Sequence, residues 1–147
     1  MKIRTFTTEL WLPRPVAEVF PFFSDAANLD AITPPWLKFH IVNPPAEMRA
    51  GILIDYRLRV RGLPLRWRTR INVWEPPHRF VDEQIKGPYR RWIHEHTFES
   101  RDGGTIVRDK VEYAVPFDGL IHRWLVRPDI ETIFAFRTQA LETFLLG

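Results

Sequence analysis

Residues 51–75 read GILIDYRLRVRGLPLRWRTRINVWE, and the fold class follows from them. Ile52, Ile54, Tyr56, Leu58 and Val60 fall on one parity, with Asp55, Arg57, Arg59 and Arg61 on the other. A period of two with one apolar face specifies a half-buried strand, because successive side chains of an extended chain point to opposite sides. Gly62-Leu63-Pro64 interrupts the run, and Leu65–Glu75 resumes it, so the two segments form an antiparallel hairpin. Six arginines, Arg57, Arg59, Arg61, Arg66, Arg68 and Arg70, are expected on its convex, solvated face. Leu65 and Trp67 point the other way.

On either side the same alternation recurs. Pro76-Pro77 ends the second strand. Residues 78–86, 90–100 and 104–115 follow as three more strands, separated by Gly87-Pro88 and Asp102-Gly103-Gly104. Upstream, residues 2–12 form a strand that Pro13 and Pro15 close. Val16, Val19, Phe20 and Phe23 then sit at helical spacing, and residues 26–32 make a second short helix before Pro34. Beyond residue 128 the period changes. Ile130, Ile133, Phe134, Leu141, Phe144 and Leu145 recur at three and four, which specifies an amphipathic helix over 129–146. Pro128 suits its first turn, and residues 118–127 form a shorter helix before it. The expected class is α+β: a curved antiparallel sheet of about seven strands wrapped around a long C-terminal helix, with two short helices after strand 1. An antiparallel sheet must cover its apolar face. A helix gripped by a strongly curved sheet leaves room between them, where small ligands bind.

Composition bounds the function. The 147 residues are expected to form one domain, 1–147. With 45% hydrophobic and 27% charged residues the chain reads as globular. It has no cysteine, so disulfides, thiolate zinc sites and thiol nucleophiles are excluded. The opening MKIRTFTTELWL is too polar for a signal-peptide core, and no apolar run reaches the ~18 residues of a membrane span. A cytoplasmic protein is expected. Arginine far outnumbers lysine and there are 13 prolines, a balance that points to a thermophilic or high-GC source. No phosphate loop, dinucleotide fingerprint or nucleophile elbow occurs, and no cofactor is expected.

At this point the chain resembles a known superfamily. LWLPRPVAEVFPFFSDAANL is similar to the first strand and helix of START-like, polyketide cyclase-like and birch-pollen-allergen-type proteins, the SRPBCC superfamily with its helix-grip fold. ITPPWLKF, FVDEQIKGPYRRWIHEHTFE and GGTIVRDKVEYAVP, in that order, resemble an uncharacterised bacterial branch. Members of that branch occur alone or joined to a sugar-nucleotide-epimerase-like domain. The branch usually carries a glycine soon after the final Pro-Phe turn, which Pro116-Phe117-Asp118-Gly119 displaces by one. The resemblance covers the whole chain. It implies an internal cavity for a hydrophobic, lipid-like or polyketide-like molecule, without fixing a reaction.

Strand parity nominates the site. In 90–100, Trp92, His94, His96 and Phe98 share the face expected to be concave. In 104–115, Val107, Asp109, Val111, Tyr113 and Val115 share one face, and Ile106, Arg108, Lys110 and Glu112 take the solvated one. In 78–86, the resemblance helps to choose Phe80, Asp82 and Gln84 over Val81, Glu83 and Ile85. The candidate ligand-binding residues are therefore Asp82, Gln84, Trp92, His94, His96, Asp109 and Tyr113. Tyr56, Tyr89, Phe134 and Arg137 join them at the lining or mouth. His-x-His on a strand can hold a metal with a third carboxylate, Asp109 or Asp82. No further ligand motif appears, and no metal is expected. A network that orients the polar end of a ligand is the leading reading. The alternative is a cyclase or dehydratase using His94 or His96 with Asp109 as an acid–base pair. The arginine face offers transient contact with an anionic membrane surface. Without aromatic interleaving it is not expected to bind nucleic acid.

Overall fold

The computed structural model describes residues 1–146. Its elements run β1 (Arg4–Leu12), α1 (Val16–Ser24), α2 (Asn28–Ala31), a 3-10 turn at Pro35–Leu37, β2 (His40–Val42), β3 (Leu53–Val60), β4 (Leu63–Glu75), β5 (Arg79–Lys86), β6 (Arg91–Arg101), β7 (Gly104–Ala114), α3 (Asp118–Ile121), a π-helical turn at His122–Val126 and α4 (Arg127–Leu146). The strands form a seven-stranded antiparallel sheet ordered β1-β7-β6-β5-β4-β3-β2. A meander pairs each strand from β2 to β7 with its sequence neighbour, and β1 closes against β7. This is the helix-grip arrangement, with α4 across the concave face.

The alternating pattern sets which side chains go inward. Ile54 and Tyr56 of β3 are buried, as are Phe98 of β6 and Val107, Val111 and Tyr113 of β7. The end of the grip beneath α1 is filled solid by Leu12, Val19, Phe20, Phe23, Phe80 and Phe98, with Leu141 of α4. Phe20 meets Phe98 with ring centroids 5.1 Å apart, close to edge-on. The middle of α4 sits on Phe6, Val111 and Tyr113 through Ile130 and Phe134. Toward β2–β4 a smaller cluster of Ile54, Tyr56 and Ile71 faces inward, and the cavity described below opens above it.

Several details differ from the sequence expectation. β2 is a three-residue strand that carries too little pattern to be read. Bulges interrupt β4 between Arg68 and Thr69 and between Ile71 and Val73. Ile71 is buried inward, and three residues on the half-buried Trp74 ring also points inward, beside Phe80; the second bulge accounts for the switch of parity. Ile106, expected on the solvated face, is buried at 4% exposure opposite Trp11. Arg61 does not belong to the convex arginine strip. It lies in the β3–β4 turn with φ 51° and bonds Asp129 of α4 at 2.9 Å. Arg68 and Arg70 remain on the strip, paired with Asp55 and Glu83. Residues 118–127 do not form one short helix. A single turn of α3 widens into the π-helical turn, which continues into α4.

The turn into α3 puts a left-handed backbone at Phe117 (φ 56°), and Gly119 does not take that role. The Phe117 side chain is 73% exposed, so little packing offsets the strain. That conformation costs an L-residue about 1–2 kcal/mol, partly returned by the extra freedom of glycine when unfolded. Phe117→Gly is therefore expected to stabilise the fold by about 0.5–1 kcal/mol, a rise of about 2 °C in the thermal midpoint. An unchanged or lower midpoint by calorimetry would contradict this.

Candidate functional site

Period-two geometry in three adjacent strands assembles the site. β6 turns His94 and His96 inward, where they are 5% and 3% exposed, with ring centroids stacked 3.7 Å apart. In register, β5 sets Asp82 opposite His94, and β7 sets Asp109 opposite His96. The hydrogen bonds run diagonally. His94 Nε2 lies 2.7 Å from Asp109 Oδ1, and His96 Nε2 lies 2.7 Å from Asp82 Oδ2. Asp109 gathers further partners. Thr8 Oγ1 of β1 donates to its Oδ2 at 2.9 Å, and Arg137 Nη2 of α4 lies 3.3 Å from its Oδ1. The same Arg137 nitrogen is 3.4 Å from His96 Nδ1, and Arg137 Nε is buried without a partner.

Burial and charge divide the roles. Burial works against ionising either carboxyl. The Arg137 guanidinium and the two histidines overcome this at Asp109 and hold it well below the usual carboxylate range. His96 does the same for Asp82 through its hydrogen bond. Burial would also lower His96, but the carboxylates of Asp109 and Asp82 on its two nitrogens raise it instead. His94 goes the other way: burial and the neighbouring His96 charge lower it despite Asp109. The cluster thus holds two carboxylates, a guanidinium, a histidine that favours its proton and one that favours losing it.

The cluster forms the polar end of a cavity of about 400 Å³ between the sheet and α4. Asp82, His94, His96 and Arg137 contribute to its wall, as do Tyr56, Tyr89, Trp92 and Phe134. The remaining wall is largely aliphatic and aromatic, including Leu58, Leu65 and Ile133. Gln84, Asp109 and Tyr113 face inward but stand behind the wall, where each supports a neighbour. Gln84 clamps the Tyr89 backbone, accepting from its N–H at 3.0 Å and donating to its carbonyl at 2.7 Å. Tyr113 O–H lies 2.7 Å from His122 Nε2. Burial, with Arg4 nearby, keeps His122 below its ordinary pKa, as suits an acceptor. Burial pushes the Tyr56 and Tyr89 hydroxyls well up, so both remain neutral donors. Arg137, expected at the lining or mouth, lies at the polar end.

Sequence reasoning missed some of the wall. Trp67 stands edge-on to both Trp92 and Tyr89, and buried Thr69 accepts its indole N–H at 3.0 Å. Both follow the parity of Leu65 and were legible from it. Leu125 and Val126, from the π-helical turn, carry no such signal.

Comparison with known proteins agrees with this geometry. Residues 12–142 match the model of the family described as polyketide cyclase / dehydrase and lipid transport. The chain belongs to this family. No curated protein matches it. Among solved structures, the Zhui aromatase/cyclase from Streptomyces sp. R1128 superposes with a TM-score of 0.74 at 17% identity, over 95% of this chain and 92% of that one. TTHA0849 from Thermus thermophilus superposes with a TM-score of 0.69 at 22% identity, over 97% of each chain. A nucleoside-diphosphate sugar epimerase from Corynebacterium glutamicum matches over 92% of this chain and 28% of its own, at 22% identity and a TM-score of 0.66. At these identities the structures establish the shared fold. Among the described residues no helix is long and apolar enough to cross a membrane.

The pKa directions fix a pH dependence. Asp109 and Asp82 have folded pKa values below the ordinary 3.8, so their stabilisation is present above pH 3.8 and lost as pH falls through the folded values. His96 stabilises fully below 6.5 and less as pH rises through its raised value. His94 opposes it, destabilising as pH falls below 6.5. Urea unfolding should therefore show a steep acid limb, and Asp109→Asn should flatten it. Asp109→Ala should cost about 3–5 kcal/mol at neutral pH, because it strands Arg137 and His94 inside the protein. A cost under about 1 kcal/mol would show that the network bears little of the fold.

Proposed function

We propose that this protein binds a hydrophobic small molecule, lipid-like or polyketide-like, with its apolar body along the cavity and its polar end at the Asp82, His94, His96 and Arg137 cluster. The observation that supports this most directly is the asymmetry of the cavity: about 400 Å³ lined mostly by apolar groups, with Asp82, His94, His96 and Arg137 clustered at one end and the mutually paired Arg61 and Asp129 as the other charged residues of its wall. A volume in this range suits a small ligand rather than a packing defect. Trp67, Tyr89 and Trp92 offer flat apolar surface along the wall. The family's description, which includes lipid transport, agrees with this reading.

A second reading is favoured by one specific contact. His94 is disposed to be neutral near pH 7 and is oriented by Asp109 at 2.7 Å, the arrangement a general base requires. The same cavity would then serve a cyclase- or dehydratase-type reaction on a carbonyl-rich substrate. The similar Streptomyces structure carries the name aromatase/cyclase. The convex arginine face of β3–β4 is proposed as a transient contact with an anionic membrane surface. Arg57 and Arg66 lie directly opposite one another across the hairpin, a like-charge pairing that an external anion would relieve.

Native mass spectrometry of protein taken from cells should show a co-purified apolar mass. Leu58→Trp fills the cavity without touching the polar cluster, and it should remove that mass and lower affinity for a fluorescent fatty-acid probe at least about tenfold, a change of about 1.4 kcal/mol. Equal binding by Leu58→Trp would refute the cavity as the binding site. On the second reading His94→Ala would abolish turnover of a polyketide-type substrate while retaining its binding; full turnover would remove His94 from any catalytic role.

A further inference from the structure

We propose that Asp82, His94 and His96 form a binding site for a divalent transition-metal ion at the polar end of the cavity. This goes beyond the cavity reading and stands or falls separately from it. The three side chains each offer one ligand atom, and these atoms lie within 4.8 Å of one another. Metal bonds to imidazole nitrogen and carboxylate oxygen are about 2.0–2.2 Å, which sets ligand atoms about 3–3.5 Å apart, so the widest pair must close by about 1 Å when the ion binds. Asp82, whose side chain is 18% exposed, is the least enclosed of the three.

Two further observations point to a ligand here. The first is the carboxylate behind the histidines. Asp109 Oδ1 lies 2.7 Å from His94 Nε2 and 3.4 Å from His96 Nδ1. It leaves His94 Nδ1 and His96 Nε2 as the coordinating atoms, the second already facing Asp82. A carboxylate behind a ligating histidine fixes its tautomer and raises its basicity, the arrangement found around ligating histidines generally. Here a single aspartate serves both rings, and Thr8 and Arg137 hold it in place. The second is Arg137. It is 9% exposed, lines the cavity, and its Nε has no partner. An anionic or carbonyl oxygen of a bound molecule would satisfy it.

The charges also balance. The ion displaces the proton held between His96 Nε2 and Asp82, which leaves to solvent. Two carboxylates, one guanidinium and a divalent ion then leave one positive charge. An anionic oxygen on the open coordination positions, beside Arg137, neutralises it. Two histidines and one carboxylate leave those positions open toward the cavity. A ligand's carbonyl or enolate oxygen would meet both the ion and the guanidinium.

The test uses the full chain, treated with chelator and dialysed, with Zn²⁺ alone as the calorimetric probe and Co²⁺ alone as the spectroscopic one. One-to-one Zn²⁺ binding in the micromolar range or tighter is expected, with visible Co²⁺ absorption bands of a nitrogen–oxygen site. Asp82→Asn, which keeps the shape of the residue, should weaken binding more than tenfold. Asp109→Asn should weaken it about 10–100-fold while retaining the stoichiometry. His40→Ala and His78→Ala, at exposed positions, should leave it unchanged. Absence of saturable binding to the wild-type chain overturns the proposal, and that result needs no variant to fold. Binding lost in His40→Ala or His78→Ala and kept in Asp82→Asn overturns it as well, as adventitious surface coordination.

Discussion

The Asp109 carboxylate is the point on which the concave face depends. It sits on β7 between β1 and β6, accepts from Thr8 on one side, meets both histidines on the other, and lies against Arg137 of α4. Three strands and the long helix therefore share one buried anion. An isolated carboxylate at that depth would protonate or unfold the site. Four partners of opposite or donor character make the ionised form the favoured one. The price of this arrangement is desolvation of every member, so the cluster is poor evidence of net stabilisation and better evidence of a fixed geometry. Diagonal bonding adds to that geometry. Each histidine bonds the carboxylate that lies opposite its neighbour, so neither ring can turn without breaking the link between two strands.

Legibility from sequence followed the strength of the local periodicity. β3, β6 and β7 carry clean alternation over eight or more residues, and their inward residues were correctly placed as a set. Those strands place His94, His96 and Asp109; Asp82 lies on β5, where the pattern alone is ambiguous and the family resemblance helped to choose the face. Ile106 failed because parity says which face a residue takes and not whether that face is covered; Trp11 of β1 stands opposite it in the sheet. Arg61 failed because the strand ends one residue before it, and a left-handed turn residue obeys no parity. The bulges of β4 and the π-helical turn leave no mark in composition, since each is a backbone adjustment that many side chains tolerate.

Core and cavity could not be separated by pattern. Phe23 and Phe134 are both apolar, inward and buried, yet one fills the closed end of the grip and the other lines the open space. The difference lies in the height of α4 above the sheet, which depends on contacts between residues far apart in sequence. At its C-terminal part Leu141 packs into the aromatic cluster under α1. Nearer its N-terminus, Asp129 reaches out to Arg61, and Arg137 bridges to Asp109. Between these polar contacts Ile130 and Phe134 pack on Phe6, Val111 and Tyr113, so the helix meets the sheet on the β1–β7 side and the cavity lies toward β3 and β4.

This one-sided contact explains why the cavity lies where it does. A helix packed on a sheet by interdigitated aliphatic groups leaves few voids larger than a water molecule. Where a helix is attached through guanidinium–carboxylate contacts at its flanks, the strip between them need not be filled. Ile133 lines open space there, while Ile130 and Phe134 pack on Phe6, Val111 and Tyr113 along one side of the helix. The two arginines act from opposite directions, Arg61 from the sheet to the helix and Arg137 from the helix to the sheet. The polar network and the apolar cavity thus meet at Arg137, which ties α4 to Asp109 and contributes to the cavity's polar end.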